Sequence, residues 1–109
     1  MQVLYKRPFL QFVKKAKSPL QLAIEDAVVE VSKSPELGEQ KKGDLRDFFV
    51  YKFRFNKQEY LIAYRYGLSD KLLELVWIDF YKIGTHENFY AELKRFLREE
   101  GNLARKGGR

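Results

Sequence analysis

Between Phe49 and Phe55 an aromatic side chain falls on every second residue: Phe49, Tyr51, Phe53 and Phe55, with Val50, Lys52 and Arg54 between them. Only an extended chain gathers such a set on one side, because successive strand residues point to opposite faces whereas a helix would scatter them. The alternation resumes after the short turn Asn56-Lys57-Gln58: from Glu59 to Gly67, Tyr60, Ile62, Tyr64 and Tyr66 interleave with Leu61, Ala63 and Arg65. Two such runs across a short polar turn predict an antiparallel hairpin. After Leu68-Ser69-Asp70-Lys71 a third run, Leu72 to Ile83, is apolar on both parities, which predicts a strand covered on both faces.

Helical spacing flanks this meander. Gln2-Val3-Leu4-Tyr5 reads as a short first strand; Pro8 then opens a helix carrying Phe9, Phe12, Val13 and Ala16. Ser18-Pro19 stops it and starts a second, with Ser18 as expected N-cap and Gln21 at capping-box distance. Its predicted buried stripe is Leu20, Ile24, Ala27, Val28 and Val31, with Glu25, Asp26 and Glu30 toward solvent. Ser34-Pro35 and Leu37-Gly38 end it, and Glu39 to Asp44 reads as a polar, turn-rich linker. A last helix is expected from Glu87 to Glu100, buried through Phe89, Leu93, Phe96 and Leu97, with Thr85 as N-cap and Gly84 as the turning point. The order predicts an α+β fold: a helical hairpin and a C-terminal helix packed on an antiparallel sheet of three to four strands. Residues 1–100 are read as one domain and 101–109 as a basic flexible tail.

The charge balance narrows the partners. Lys and Arg number 21 against 15 Asp and Glu, a net +6, which favours a polyanion such as nucleic acid, or an acidic protein. With no Cys there is no disulfide, thiolate nucleophile or zinc–thiolate site, and with one His no multi-histidine metal site within one chain. No secretory leader, membrane-length apolar run or glycine-rich phosphate loop is evident, so a cytoplasmic location, no membrane partner and no ATP-using activity are expected.

The lone histidine, His86, falls in Ile83-Gly84-Thr85-His86-Glu87-Asn88-Phe89-Tyr90, where a strand gives way to a helix. Rigid elements present such a corner to solvent, and imidazole exchanges protons near neutral pH, although a lone exposed His is often inert. The strand parity opposite the aromatic one carries Lys52, Arg54 and Arg65, three cations expected on one sheet face beside His86 as an anion site for phosphate. Lys or Arg on a solvated sheet face is also ordinary. Lys14-Lys15-Lys17 reads as a solvated helix face that can also grip RNA phosphates. Trp77, Tyr81, Tyr64 and Tyr66 are read as packing residues, and Asp44 and Asp47 as turn residues.

Several segments together resemble the RelE/ParE superfamily of type II toxins: Ser34-Pro35-Glu36-Leu37-Gly38, Lys42-Gly43-Asp44-Leu45, Val50-Tyr51-Lys52-Phe53-Arg54, Tyr60-Leu61-Ile62-Ala63-Tyr64 and the ending from Ile83 to Tyr90. The ending, Gly-Thr-His followed by an aromatic, is similar to that of YafQ-like toxins. The resemblance spans roughly residues 8 to 97. It implies a RelE-like fold, a bacterial toxin neutralised by a cognate antitoxin, operator DNA reached only through that antitoxin, and no cofactor. In the RelE-like branch it implies metal-free cleavage of mRNA in the ribosomal decoding site; in the ParE-like branch, inhibition of DNA gyrase without catalysis. A degenerate relative that only binds its antitoxin is a third possibility. By the resemblance Lys52, Arg54, His86 and Tyr90 fall on catalytic positions, and Arg65, Lys14 and Lys15 are candidates for RNA binding. Leu61 stands where the family usually has Arg; Arg65 shares its parity four residues further on.

The residues themselves suffice for one chemistry. RNA is cut when its 2′-hydroxyl attacks the adjacent phosphorus, so the protein need supply only a base, an acid and cations for the phosphoryl oxygens. His86 suits proton transfer, Lys52 and Arg54 the charge, and Tyr90 stacking on a splayed base.

Overall fold

The computed structural model describes residues 1–101. The expected tail, Asn102 to Arg109, lies outside the described residues. Strands β1 (Gln2–Tyr5), β2 (Glu39–Gln40), β3 (Phe49–Phe55), β4 (Gln58–Leu68) and β5 (Leu75–Gly84) form one sheet in the order β1-β5-β4-β3-β2. Among the described residues three α-helices accompany it: α1 (Arg7–Lys15), α2 (Ser18–Lys33) and α3 (Phe89–Glu100). The α+β class holds, but the sheet has five strands, not three or four, and it is mixed: β1 runs parallel to β5 while the other pairs are antiparallel. The fifth strand, β2, is two residues inside the expected linker, paired as Glu39 to Val50 and Gln40 to Phe49.

The meander follows the alternation. Phe55 pairs with Gln58 across a two-residue turn in which Asn56 and Lys57 both have positive φ, 53° and 69°. That conformation matches the strand twist and suits Asn at its first position. β5 starts three residues later than expected. Ser69 and Glu74 close a loop through two bonds, Ser69 N to Glu74 O at 2.8 Å and Glu74 N to Ser69 Oγ at 3.2 Å, which leaves Leu72 and Leu73 exposed.

Two cores lie on opposite faces of the sheet. The α1–α2 hairpin packs on the aromatic parity, where Phe9, Ile24, Ala27 and Val31 meet Ile62, Tyr64, Ile78, Phe80 and Ile83. α3 packs on the other, where Phe89, Leu93, Phe96 and Leu97 meet Leu45, Phe48, Val50, Leu61, Ala63 and Tyr81. Leu61 to Tyr64 are therefore buried one after another, which accounts for the apolar runs in the inner strands.

Helix entries differ from expectation. Ser18 is the first residue of α2, Lys17 is the N-cap, and no side chain caps the helix. Pro19 near the start removes a donor that would need a cap. Gln21 instead ties the two helices together, its Nε2 donating to Val13 O at 2.7 Å. α3 starts at Phe89, not Glu87, and Asn88 rather than Thr85 is its N-cap. The corner is turned by Asn88 at φ 59°, a left-handed conformation Asn tolerates, while Gly84 stays inside β5.

Tyr64 joins this frame to the segment Ser34 to Gly38. Its hydroxyl donates to Pro35 O at 2.5 Å and accepts from Gly38 N at 2.9 Å. A Cβ on residue 38 would lie 2.4 Å from that oxygen, so glycine is required there by close approach. Burial pushes the Tyr64 hydroxyl up to about 12, against the lowering effect of the Gly38 N–H.

Candidate functional site

The α3 face of the sheet is core at its centre and polar at its rim. Its rows follow from the register: Lys52 is opposite Leu61, which is opposite Gly84, the last residue of β5. Two strand spacings put the Lys52 backbone about 10 Å from Gly84. His86 follows two residues later on the exposed turn into α3. One helical turn onward Tyr90 is half-buried, its ring 6.1 Å from the His86 ring in an edge-to-face arrangement. Phe89, buried, fixes the start of α3 and thereby both rings.

Lys41, a residue read as linker, completes the group. β2 delivers it: Lys41 N donates to Phe48 O at 2.9 Å, and its Nζ lies 5.2 Å from the Tyr90 ring centroid and 3.3 Å from Glu39 Oε1. Partial burial works against its charge, but the Tyr90 hydroxyl and the Glu39 carboxylate outweigh it, so its pKa stands above that of an ordinary lysine. Lys41 is thus a fixed cation beside Tyr90. The β2 pairing that aims it leaves only a two-residue signal in the sequence.

Lys82 was also missed. A bulge in β5 sets Ala63 opposite Lys82 but Tyr64 opposite Phe80, so Tyr81 is the extra residue and both Tyr81 and Lys82 turn toward α3. Lys82 Nζ lies 2.9 Å from Glu92 Oε1 and 5.6 Å from the Phe89 ring centroid, tying α3 to the sheet. The signal was a single Lys in an apolar run; the bulge that aims it has no sequence mark.

The other expected residues separate. Arg54 is exposed on the Lys52 side of β3, one row nearer the hairpin tip, where its Nη2 donates to Lys57 O at 3.2 Å. Arg65 is not brought to the cluster. It sits four residues along β4 from Leu61, about 13 Å, with the α3 core between, and its guanidinium lies between the rings of Phe48 and Tyr81 at 5.4 and 5.3 Å. Lys14 and Lys15 are exposed at the end of α1, on the opposite face of the sheet from His86. Leu61 is fully buried under α3, so the position has no room for the Arg usual in the resembled family. The expectation of Lys52, Arg54 and Arg65 together on one sheet face beside His86 is therefore corrected to Lys41, Lys52 and Arg54 along the rim, with His86 and Tyr90 at the start of α3.

Comparison with known proteins gives consistent results. The profile of a family described as the ParE-like toxin of type II bacterial toxin–antitoxin systems matches residues 3–94. None of the curated protein sequences matches the chain. Among solved structures, the free form of a mutant Escherichia coli toxin RelE is similar over 91% of this chain and 95% of its own, at 18% identity and a TM-score of 0.60. The toxin–antitoxin complex RelBE of E. coli contains a chain similar over 79% of this one and 96% of its own, at 20% identity and a TM-score of 0.55. A mutant RelE bound to a peptide of the antitoxin RelB is similar over 92% of each chain, at 18% identity and a TM-score of 0.53. At these identities the likeness is one of fold.

Proposed function

Because the chain belongs to the ParE-like toxins of type II bacterial toxin–antitoxin systems, we infer that it is a toxin held by a cognate antitoxin and acts as a ribosome-dependent mRNA endoribonuclease. The observation that carries the reading is the grouping of His86, Tyr90 and Lys41 at the start of α3, with Lys52 across the sheet on the same face.

In this reading the message lies along the rim between α3 and the β2–β3 edge. Lys41 and Lys52 face the phosphoryl oxygens, where charge grows as the 2′-oxygen attacks phosphorus and the bond to the 5′-oxygen breaks. His86, exposed and on a fixed turn, transfers a proton to or from one of those oxygens. Tyr90 stacks on an unstacked base or orients the phosphate. The site is an open rim, so the ribosome must bend the message into attack geometry, which makes positioning the larger contribution. The reaction takes place in the cytoplasm and needs no cofactor. The antitoxin is the acidic partner that the net +6 calls for, and operator DNA is reached through it.

Buried Leu61 favours a second reading, a non-enzymatic gyrase inhibitor, since one cation of the nuclease pattern has no place under α3. Induced expression separates the two. The nuclease reading expects growth arrest with cuts in messages at the decoding site and unchanged supercoiling in vitro. Arrest without cuts, together with inhibited supercoiling, would replace it with the gyrase reading.

A further inference from the structure

Arg65 is held in an unusual state. Its Nε is buried without a hydrogen-bond partner, and no carboxylate of the described residues lies within ion-pair distance, although Asp79 is its cross-strand neighbour. The rings of Phe48 and Tyr81 clamp the guanidinium, which fixes its direction without using its donors. It floors a notch of about 370 Å³ walled by Gln40, Asp47 and Trp77, and borders a second hollow of about 280 Å³ reached past Val3 and Asp79. Trp77 is common to both hollows, its indole lying across Gly67, where a Cβ would meet Nε1 at 2.3 Å. The notch exists because β3 begins at Phe49 opposite Tyr64, so β4 from Arg65 to Leu68 has β5 on one side and, among the described residues, no strand on the other.

A guanidinium has only donors, so one held in place between two rings asks for an acceptor-only group. A guanidinium fork matches a planar carboxylate with two parallel bonds. Asp47 and Asp79 flank the fork and repel a nucleic-acid backbone, whose phosphates come in series; a single carboxylate brings one charge to the Arg65 guanidinium. The uncovered length of β4 beside it is a template on which an extended peptide can add as a strand. We propose that the Arg65–Trp77 notch is a docking site for an Asp or Glu side chain carried on an extended segment of a protein partner, bound along the open edge of β4. The proposal is independent of the nuclease reading, since the notch lies at the far end of the sheet from His86.

Trp77 is the sole tryptophan, so its fluorescence reports from the wall of the site. The full chain is titrated with the capped pentapeptide Thr-Val-Glu-Val-Thr, with the same peptide bearing Gln at its centre, with acetate, and with a single-stranded RNA oligonucleotide. The Glu peptide should give a saturable change and bind about 10-fold or more tightly than the Gln peptide, since a charge-assisted fork is replaced by a neutral amide. Acetate alone should bind more weakly than the Glu peptide, because it lacks the strand to pair with β4. Arg65→Lys, which keeps the charge but loses the fork, should weaken the Glu peptide about 10-fold. Asp47→Asn, an exposed change with little bearing on folding, should strengthen it. Equal binding of the Glu and Gln peptides, no saturable change, or an Asp47→Asn variant that binds no more tightly would overturn the proposal. So would an RNA that binds in the notch more tightly than the Glu peptide.

Discussion

The two faces of the sheet use the same kinds of residue to opposite ends. Under α1 and α2 the aromatic parity forms a continuous carpet in which Phe49, Tyr66 and Phe80 each lie within ring contact of Tyr64, closed by the Tyr64 bonds to Pro35 and Gly38. Under α3 the apolar patch is shorter, and cations begin where it stops: Lys41, Lys52, Arg54 and Lys82. One face is given to stability. The other is divided between holding α3 and presenting its first turn. Substitutions should therefore sort by place, with large effects on folding from either core and on activity from the rim of the α3 face.

The largest effect on folding should come from Leu61→Arg, which restores the residue type of the resembled family at a fully buried position. An unpaired guanidinium under α3 should cost on the order of several kcal/mol, read as a large fall in the urea midpoint. A folded, more active variant would show that α3 lifts to accept the side chain. Ile24→Ala, on the other face, should cost about 2–5 kcal/mol in the same measurement while cleavage per folded molecule stays unchanged.

Tyr64→Phe removes one donor and one acceptor and should cost about 1–2 kcal/mol. Its pH dependence is specific. The hydroxyl is raised from 10.0 to about 12 in the folded state, so that state holds the proton more tightly than the unfolded chain. The stabilisation is full below pH 10 and is lost as the pH rises from there toward about 12. Denaturant midpoints of the wild type should fall across that window more steeply than those of Tyr64→Phe, and parallel curves would contradict the assignment. The smallest effect is expected at Lys82→Met, which breaks a partly exposed ion pair with Glu92 and should cost within about 1 kcal/mol.

The same contrast explains how much could be read beforehand. Alternation through Phe49 to Tyr66 sufficed for the hairpin and for dividing its side chains between two faces, because period 2 leaves each side chain only one face; that α3 covers the centre of the Lys52 parity was not legible in it. It failed where a local irregularity resets the face. The bulge at Tyr81 turned Lys82 toward α3, and the left-handed Asn88 moved the helix start past Thr85. Lys41 was invisible for another reason: β2 is two residues long, and only its pairing with β3, a contact distant in sequence, makes a linker lysine part of the site. Arg65 shows the limit of parity alone. It shares a face with Lys52, yet the core under α3 divides that face in two.

The most direct test is single-turnover cleavage of a message on programmed ribosomes by the wild type and by His86→Ala. His86 is exposed, so its removal should leave folding and ribosome binding intact. The wild type should cut in the decoding site, and the variant should be slower by about 100-fold or more with binding unchanged, the loss expected of one proton-transfer group. Equal rates for the two proteins, or a wild type that binds ribosomes without cutting, would contradict the assignment of this rim as a nuclease site.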